Sequence, residues 1–533
     1  MNKRRANILA DFTQNTSAHG FLSFFLAAGF FGRAFWFIAV CLAWIGCILS
    51  IYVSVYKYFS FPTSTMVRIQ HASDARFPAV SLCNLNPIRK SALMENEAIA
   101  DFAMELREVN MTNVIHDWDV HEGVMDKNPG DHEVVKEDEL KAAAFYNAYQ
   151  FQVNFKKDGH LMKDMLLQCS FGGLQCHPRN FSRWTHPTYG NCYTIFAFPN
   201  FVGPSFGLQL TLFAQEHEYL PVVVPAVGFR MQVHPPEYVP LPDDLGFTVS
   251  PGFHTAVAVK QLHIQRQPMP YDYIDCGQDH QSKRHRRSVA ILTNWYQFVK
   301  EGKVGQMNYT NQACMKVCYQ THLLRQCSCV DPAVSSWEQM KRAAALGAVK
   351  EVPPACSLTD KKTRQCRHLV LKEVIREGLC NATCPQACDE QHYEAKVTTS
   401  AWPSRAFYES MSAAWMKRNT RLQQEKLPFQ RAREQLARVE VFFEELNYES
   451  VVEIPAMSEN DLLTSVGGIL GLLAGVSFLT LLEFLELVLR LLWPSSRHEN
   501  SASQADKGKQ LPVATHRPST MYGSNIVKSN PYI

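Results

Sequence analysis

Fourteen of the sixteen cysteines fall between Cys83 and Cys388. The densest run, "CMKVCYQTHLLRQCSC", sets Cys314, Cys318, Cys327 and Cys329 against a later group of Cys356, Cys366, Cys380, Cys384 and Cys388. Thiols at this density either oxidise in pairs or hold a metal. Zinc clusters favour the tight C-x2-C knuckle, whereas the spacing here is C-x3-C. Oxidation suits it better: two helix-like pieces presenting cysteines one turn apart can be stapled in antiparallel steps, as rungs of a ladder. A second chemically marked stretch, "TSVGGILGLLAGVSFLTLLEFLE", covers 464–486. Gly467, Gly471 and Gly475 recur every four residues, Ser477 follows, and Glu483 and Glu486 close the run. A lipid-facing anchor has no need of glycine, but a bare helix face allows close helix packing. Catalytic groupings are not found. "HEVVK" (132–136) lacks the second histidine of a zinc-protease helix, and neither a serine elbow nor a phosphate loop occurs, so an enzyme is not expected.

The elements that must position these residues begin with two apolar spans. Ala34 to Tyr56 and Leu462 to Leu482 carry no charge, and each is long enough as a helix to cross a hydrocarbon core of about 30 Å. Lys3, Arg4, Arg5 and Arg33 precede the first; Arg490, Arg497, Lys507, Lys509, Arg517 and Lys528 follow the second. Positive flanks stay cytoplasmic, which places both termini inside and the middle of the chain outside, at the plasma membrane. The cysteines and the sequons Asn110, Asn180, Asn308 and Asn381 all lie in that middle, as an oxidising, glycosylating compartment requires. The expected organisation is a cytoplasmic segment 1–33, a first helix 34–57, an extracellular domain 58–457, a second helix 458–493 and a tail 494–533. "FLSFFLAAGFFG" (21–32) has the length of a secretory core, yet no basic leader abuts it and a full span follows at once; it reads as re-entrant or interfacial. A net charge of +3 on 533 residues gives no reason to expect nucleic acid.

Within 58–457, "FPAVSLCNLNP" (77–87) reads as a strand closed by a turn, and 91–109 has helical spacing. From 189 to 265, "CYTIFAF", "FGLQLTLFA", "VGFRMQV" and "TAVAVKQL" alternate with Pro and Gly, predicting an antiparallel, hairpin-rich sheet. Residues 314–388 are cysteine-laced with helical pieces between. "RVEVFFEELNYESVVEI" (438–454) alternates as a strand does and feeds the second span; the Ser-, Asn- and Lys-rich tail is expected to be disordered.

Taken together, the fourteen cysteines, "FPAV" (77–80), "YGNCYT" (189–194), "FFEELNY" (442–448), His19-Gly20 and Gly475-Val476-Ser477 resemble the degenerin/epithelial sodium channel family over most of 19–490. "YKYFSFP" and "SAWPS" (400–404) look closer to its epithelial and FMRFamide-peptide-gated members. The resemblance implies a two-pass α-helical membrane protein with a large α+β ectodomain of palm, β-ball, finger, thumb (about 276–388) and knuckle. It also implies a homo- or heterotrimer conducting sodium and blocked by amiloride. It implies the pairs Cys83–Cys192, Cys169–Cys176, Cys276–Cys388, Cys314–Cys384, Cys318–Cys380, Cys327–Cys366 and Cys329–Cys356.

By the same resemblance Gly475, Val476 and Ser477 form a selectivity filter, where three copies of a short small-residue segment offer carbonyls to a partly dehydrated ion. Glu483 and Glu486 would ring the inner mouth, and Glu459 and Asp461 the outer. Interfacial snorkelling is the alternative for the two glutamates. His19-Gly20 matches a cytoplasmic gating motif, Thr464 a position where bulk locks these channels open, and Phe61 with Tyr273 an aromatic contact at the thumb base. Three departures bear on subtype. "KRHRRS" (283–288) has the form of a furin site but lies in an enlarged stretch between Cys276 and Cys314 and reads rather as a solvated basic loop. The tail lacks the proline-proline-x-tyrosine motif of epithelial subunits. Histidines usual just outside the first span in acid-sensing members are missing from "YKYFSFPTS". A sodium channel gated by an extracellular peptide, or constitutively open, with no cofactor beyond the permeant ion, is therefore expected. The alternatives are proton gating, a non-conducting accessory subunit and a P2X-like ATP-gated channel.

Overall fold

A computed structural model describes residues 8, 11–13, 15–17, 21–71, 77–92, 145–146, 148–196, 202–219, 224–271, 276, 308–345, 349–357, 360–381, 383–419, 422–423 and 427–492. The chain forms two compact units: residues 55–462, and separately the residues before 55 with those from 463 onward. Helices longer than a single turn are, in chain order, α1 (Phe21–Leu26), α2 (Gly29–Phe59), α3 (Asn311–Gln326), α4 (Trp337–Ala345), α5 (Lys361–Ile375), α6 (Arg405–Arg418), α7 (Phe429–Gln435), α8 (Glu459–Ile469) and α9 (Phe478–Leu492). The strands are β1 (Thr63–His71), β2 (Ala79–Asn84), β3 (Leu166–Phe171), β4 (Leu174–Gln175), β5 (Phe181–His186), β6 (Gly190–Ile195), β7 (Leu208–Phe213), β8 (Phe229–His234), β9 (Phe247–Val249), β10 (Phe253–Gln265), β11 (Asp389–Ala401) and β12 (Leu436–Pro455).

In the unit 55–462 the strands divide into two sheets. One runs β11-β10-β12-β7-β3-β4, with β1 on β12; the other runs β5-β6-β2-β8-β9. Period-two burial accounts for the inward faces: Thr255, Val257 and Val259 of β10, and Val439, Val441 and Phe443 of β12, are all buried. These meet Val80 and Leu82 of β2, Ile195 of β6 and Phe229 and Met231 of β8 in one core shared by both sheets.

Two expectations need correction here. The runs between 189 and 265 do not form successive hairpins. β6 and β7 belong to different sheets, and β10 pairs parallel to β12, from His254 opposite Arg438 to Gln265 opposite Val452. A parallel pair needs a long crossover, and the cysteine-laced segment and β11 lie inside it. A strand's own sequence does not reveal its partner, and the local hairpins among the described strands are β3–β4, β5–β6 and β8–β9.

The second correction concerns the ladder. Cys314 and Cys318 sit one turn apart on α3, as expected, but their partners Cys384 and Cys380 lie in a turn rather than a helix. The helical partner of α3 is α5, tied to it by Cys327–Cys366. The other bridges are Cys83–Cys192, which joins β2 to β6, Cys169–Cys176, Cys276–Cys388 and Cys329–Cys356. Cys318 and Cys380 approach His322 closely enough to suggest a metal triad, but their sulfurs are bonded to each other. Helix 91–109 lies outside the described residues beyond 92.

β12 is not uniform along its length. Val259 stands opposite Phe443 and Gln261 opposite Tyr448, so residues 444–447 bulge against Lys260 alone. Lys260 Nζ reaches Glu449 at 2.6 Å and Glu445 at 3.4 Å, and Lys396 on β11 holds Glu444 at 2.7 Å. From the last residue of the bulge onward β12 pairs with β1, from His71 opposite Asn447 to Thr63 opposite Pro455.

In the other unit, α2 is the one described helix long and apolar enough to cross a membrane by itself. It begins at Gly29, before the charge-free run. A second apolar segment, Glu459–Ala474 followed by α9, is bent by 72° at 475–477.

Candidate functional site: the break at Gly475–Ser477

α8 runs into five residues of π-helix, Leu470–Ala474, and ends at Gly475 with φ 64° and ψ 22°. That left-handed conformation is open to glycine at no steric cost. The amides of Gly475 and Val476 both donate to Leu470 O. The Ser477 amide turns instead to Thr480 Oγ1 at 3.1 Å. Ser477 Oγ in turn accepts from the Thr480 amide at 3.2 Å, so Ser477 caps α9 and restarts the helix. None of these three amides is directed to the carbonyls of 471–474, the last of the π turn, which a helix end leaves without intrahelical donors.

Packing holds the break from one side. Cys47 is fully buried and forms a small core with Ala474 and Val476, joined by Trp44, Ile51 and Leu473. A Cβ on Gly46 would touch Leu473 at 3.9 Å, whereas Gly467, Gly468 and Gly471 face open space. Close packing around the latter three is therefore not made within the described residues of this chain. Thr464 is exposed on α8.

Residues 16 and 17 hold the break from the other side. Ser17 Oγ lies 2.6 Å from Thr480 Oγ1, and Thr480 is fully buried. Glu483 Oε2 accepts from the Ser17 amide at 2.9 Å and from Thr16 Oγ1 at 3.1 Å. Glu486 pairs with Arg490 at 2.5 Å, and Arg490 also reaches Asp11 at 3.3 Å. Phe12 packs on Phe484 with ring centres 5.0 Å apart. Both carboxylates at the end of the apolar run are thus engaged within the chain. Thr16, Ser17 and Thr480 were not singled out from sequence; the Ser-x-x-Thr spacing of 477–480 is the capping signal that was available.

Other expected site residues lie in the unit 55–462. Asp461 accepts from the amide and hydroxyl of Ser458 at 2.9 and 2.8 Å, capping α8, and Glu459 is exposed beside it. Phe61 meets Tyr271 edge-on, with ring centres 5.4 Å apart. Tyr273 is outside the described residues, as are His19, Gly20, Asn110 and the basic run 283–288. Asn180, Asn308 and Asn381 are exposed, as glycan acceptors must be. Near α3, Lys316 pairs with both Asp243 and Asp244, and His186 Nε2 stands 3.4 Å from Asp243. Burial acts to raise the Asp243 carboxyl, but His186 and Lys316 outweigh it and hold the group well below the carboxylate range.

The described residues combine a β-rich domain pinned by seven disulfides with an apolar helix of membrane-crossing length and a second apolar segment broken at glycine. A profile of the family described as amiloride-sensitive sodium channel matches residues 12–487, and the chain belongs to that family, whose members are ion channels and not enzymes. It is 30% identical over 343 residues to the human epithelial sodium channel subunit delta, covering 62% of this chain and 37% of that one. It is 30% identical over 382 residues to the degenerin-like protein asic-1 of Caenorhabditis elegans, covering 68% of this chain and 40% of that one. These two alignments span less than half of the relatives' own lengths. The mouse bile acid-sensitive ion channel is 26% identical over 498 residues, covering 89% of this chain and 86% of that one.

Proposed function

We propose that this chain is a pore-forming subunit of a plasma-membrane cation channel that selects sodium, is blocked by amiloride, and is opened by an extracellular peptide or stands open. In this reading α2 and the segment Glu459–Leu492 each cross the bilayer, both termini are cytoplasmic, and three subunits, identical or mixed, surround the pore. The observation that carries it is the break at Gly475–Val476–Ser477. Lipid does not tolerate backbone groups without partners, so irregular backbone at membrane depth belongs where protein buries it or water fills a cavity. Carbonyls from three such turns would replace part of a sodium ion's hydration shell. Glu483 and Glu486 then lie toward the inner mouth and Glu459 and Asp461 toward the outer. His19-Gly20, Thr464 and the aromatic contact of Phe61 take the gating roles that the family resemblance implies.

Proton gating is the second reading, favoured by the zebrafish acid-sensing ion channel 1C, which aligns over 92% of this chain and 84% of its own length at 27% identity. The test is two-electrode recording from cells expressing the chain alone, at neutral and acid pH and under a panel of amidated peptides. The expected result is an amiloride-blocked current whose reversal potential turns negative when potassium replaces external sodium. A current that does not distinguish the two ions would sink the sodium-selective reading. Silence with the protein at the surface would make it an obligate partner subunit.

A further inference from the structure

We propose that the outward face of α5 binds a sulfated polysaccharide of the cell surface. The proposal rests on the reading that places residues 55–462 outside the cell and gives that domain a partner of its own. Residues 360–377 read "DKKTRQCRHLVLKEVIRE", with six lysines and arginines against three acids, in a chain whose net charge is only +3. The opening of this stretch, two lysines with Arg364 close behind, is the kind of short basic run that takes polyanions such as heparin. The helix sorts its residues by face. Val370 and Val374 are buried, Cys366 is bonded to Cys327, and Arg367 turns inward to Asp331 at 2.9 Å. Lys361, Lys362, Gln365, His368, Lys372 and Arg376 are exposed.

Spacings of three and four residues set those six groups along one strip of the helix. At 1.5 Å per residue the strip runs about 22 Å from Lys361 to Arg376. Lys361, Lys362, Lys372 and Arg376 make no ion pair with a described residue. The three acids are placed elsewhere. Asp360 caps the helix, accepting from the Thr363 amide at 2.9 Å; Glu373 accepts from Gln326 Nε2, at the end of α3, at 3.2 Å; Glu377 stands beyond the last helical turn. A row of cations along a convex helix suits an extended polyanion rather than a small ligand. Lysine ammoniums, compact charges on flexible stems, tolerate irregular spacing of its sulfates. The Cys327–Cys366 bridge ties α5 to the end of α3, so the helix need not be ordered on binding. Leu369 and Ile375, 55% and 69% exposed, lie on and beside the strip. An acidic protein would press on them and a polysaccharide would not. Four cations in line against two apolar side chains favour the polysaccharide.

The experiment measures binding of biotinylated heparin, and of the same heparin after chemical desulfation, to the full chain purified in detergent. The parent should bind heparin, lose that binding on desulfation, and bind more weakly as salt rises. The triple variant Lys361→Ser, Lys362→Ser, Lys372→Ser should lower the affinity about tenfold, the sum of three surface charge contacts. Glutamine at the same three positions keeps the test if serine lowers the melting temperature. Two control pairs should leave the affinity unchanged: Leu369→Ser with Ile375→Ser, and Arg431→Ser with Arg433→Ser, two exposed cations of α7. A loss in the α7 pair equal to that in the triple variant means attraction to charge at large and overturns the proposal. A loss in the Leu369, Ile375 pair overturns the polysaccharide in favour of an acidic protein. No binding by the parent overturns the proposal and leaves the placement of the domain outside the cell standing. Intact cells with the chain in the plasma membrane should bind heparin with the same ranking of variants. Binding by the purified protein with none at those cells removes that placement and this proposal together.

Discussion

His160 shows how much a single side chain can depend on its surroundings. It is buried, its Nδ1 donates to Gln215 Oε1 at 2.8 Å, and its Nε2 accepts from Asn86 Nδ2 at 2.9 Å. The Asn86 amide is oriented by the carbonyls of Ile88 and Glu218, so the tautomer is set by the network around it. Burial, above all, lowers the His160 pKa from 6.5 to about 4. Because the folded value is the lower one, the neutral ring costs nothing above about pH 6.5. Below that the unfolded chain takes up a proton that the folded one refuses, and stability falls until about pH 4. The loss is at most about 3 kcal/mol for a shift of this size. The melting temperature of the purified protein should drop between about pH 7.5 and about pH 4.5, and His160→Gln should shrink that drop. An equal drop in both proteins would mean that the ring is not held neutral. Nothing in the sequence marks this histidine, because its burial comes from segments far apart in the chain. For Phe61 the aromatic partner expected was Tyr273, which lies outside the described residues; the described contact is with Tyr271.

Elements were more readable than their pairing. β2, β7, β8, β10 and β12 all fall in segments read as strands, β12 from its alternation and the others from short β-rich runs closed by a turn or bounded by Pro and Gly. The parallel register of β10 and β12 could not be read, because it depends on residues on the far side of a crossover. The bulge at 444–447 was likewise hidden, although its acids were in view, since Lys260 and Lys396 reach Glu445 and Glu444 from other strands. The disulfides give a prediction at this scale. Cys83–Cys192, which lies outside the ladder of nested bridges, closes a span of 109 residues and Cys169–Cys176 one of only 7. Chain entropy makes the longer closure worth about 2 kcal/mol more. Paired serine replacements should therefore lower the melting temperature much further at the first bridge than at the second. Equal losses would show that local packing, not loop closure, sets the contribution.

For the molecule as a whole, family membership and the disulfide-rich ectodomain were legible from cysteine number and spacing. The coupling of residues 16 and 17 to the break was not, because it joins the two ends of the sequence. β1 carries Val67 and Ile69 at 61% and 70% exposure on a strand whose one partner among the described residues is β12. Apolar side chains on such an edge invite cover by another chain, and in the proposed trimer that cover is a second copy. Ile69→Asp is expected to lower the yield of cross-linked trimer in membranes while leaving the monomer folded; an undiminished yield would place the subunit contact elsewhere. The same β1–β12 pairing has a consequence in time. His71 and Asn447, which hydrogen-bond across it, are 376 residues apart. At about 5–20 residues per second of synthesis, the first strand emerges roughly 20–75 s before the last one exists to meet it. Throughout that interval its backbone amides and carbonyls lack their native partners, and the pairing of β1 with β12 closes only once residues 447–455 have been made. The large sheet is thus assembled in an order its own topology dictates, with β1 the described strand that waits longest for its partner.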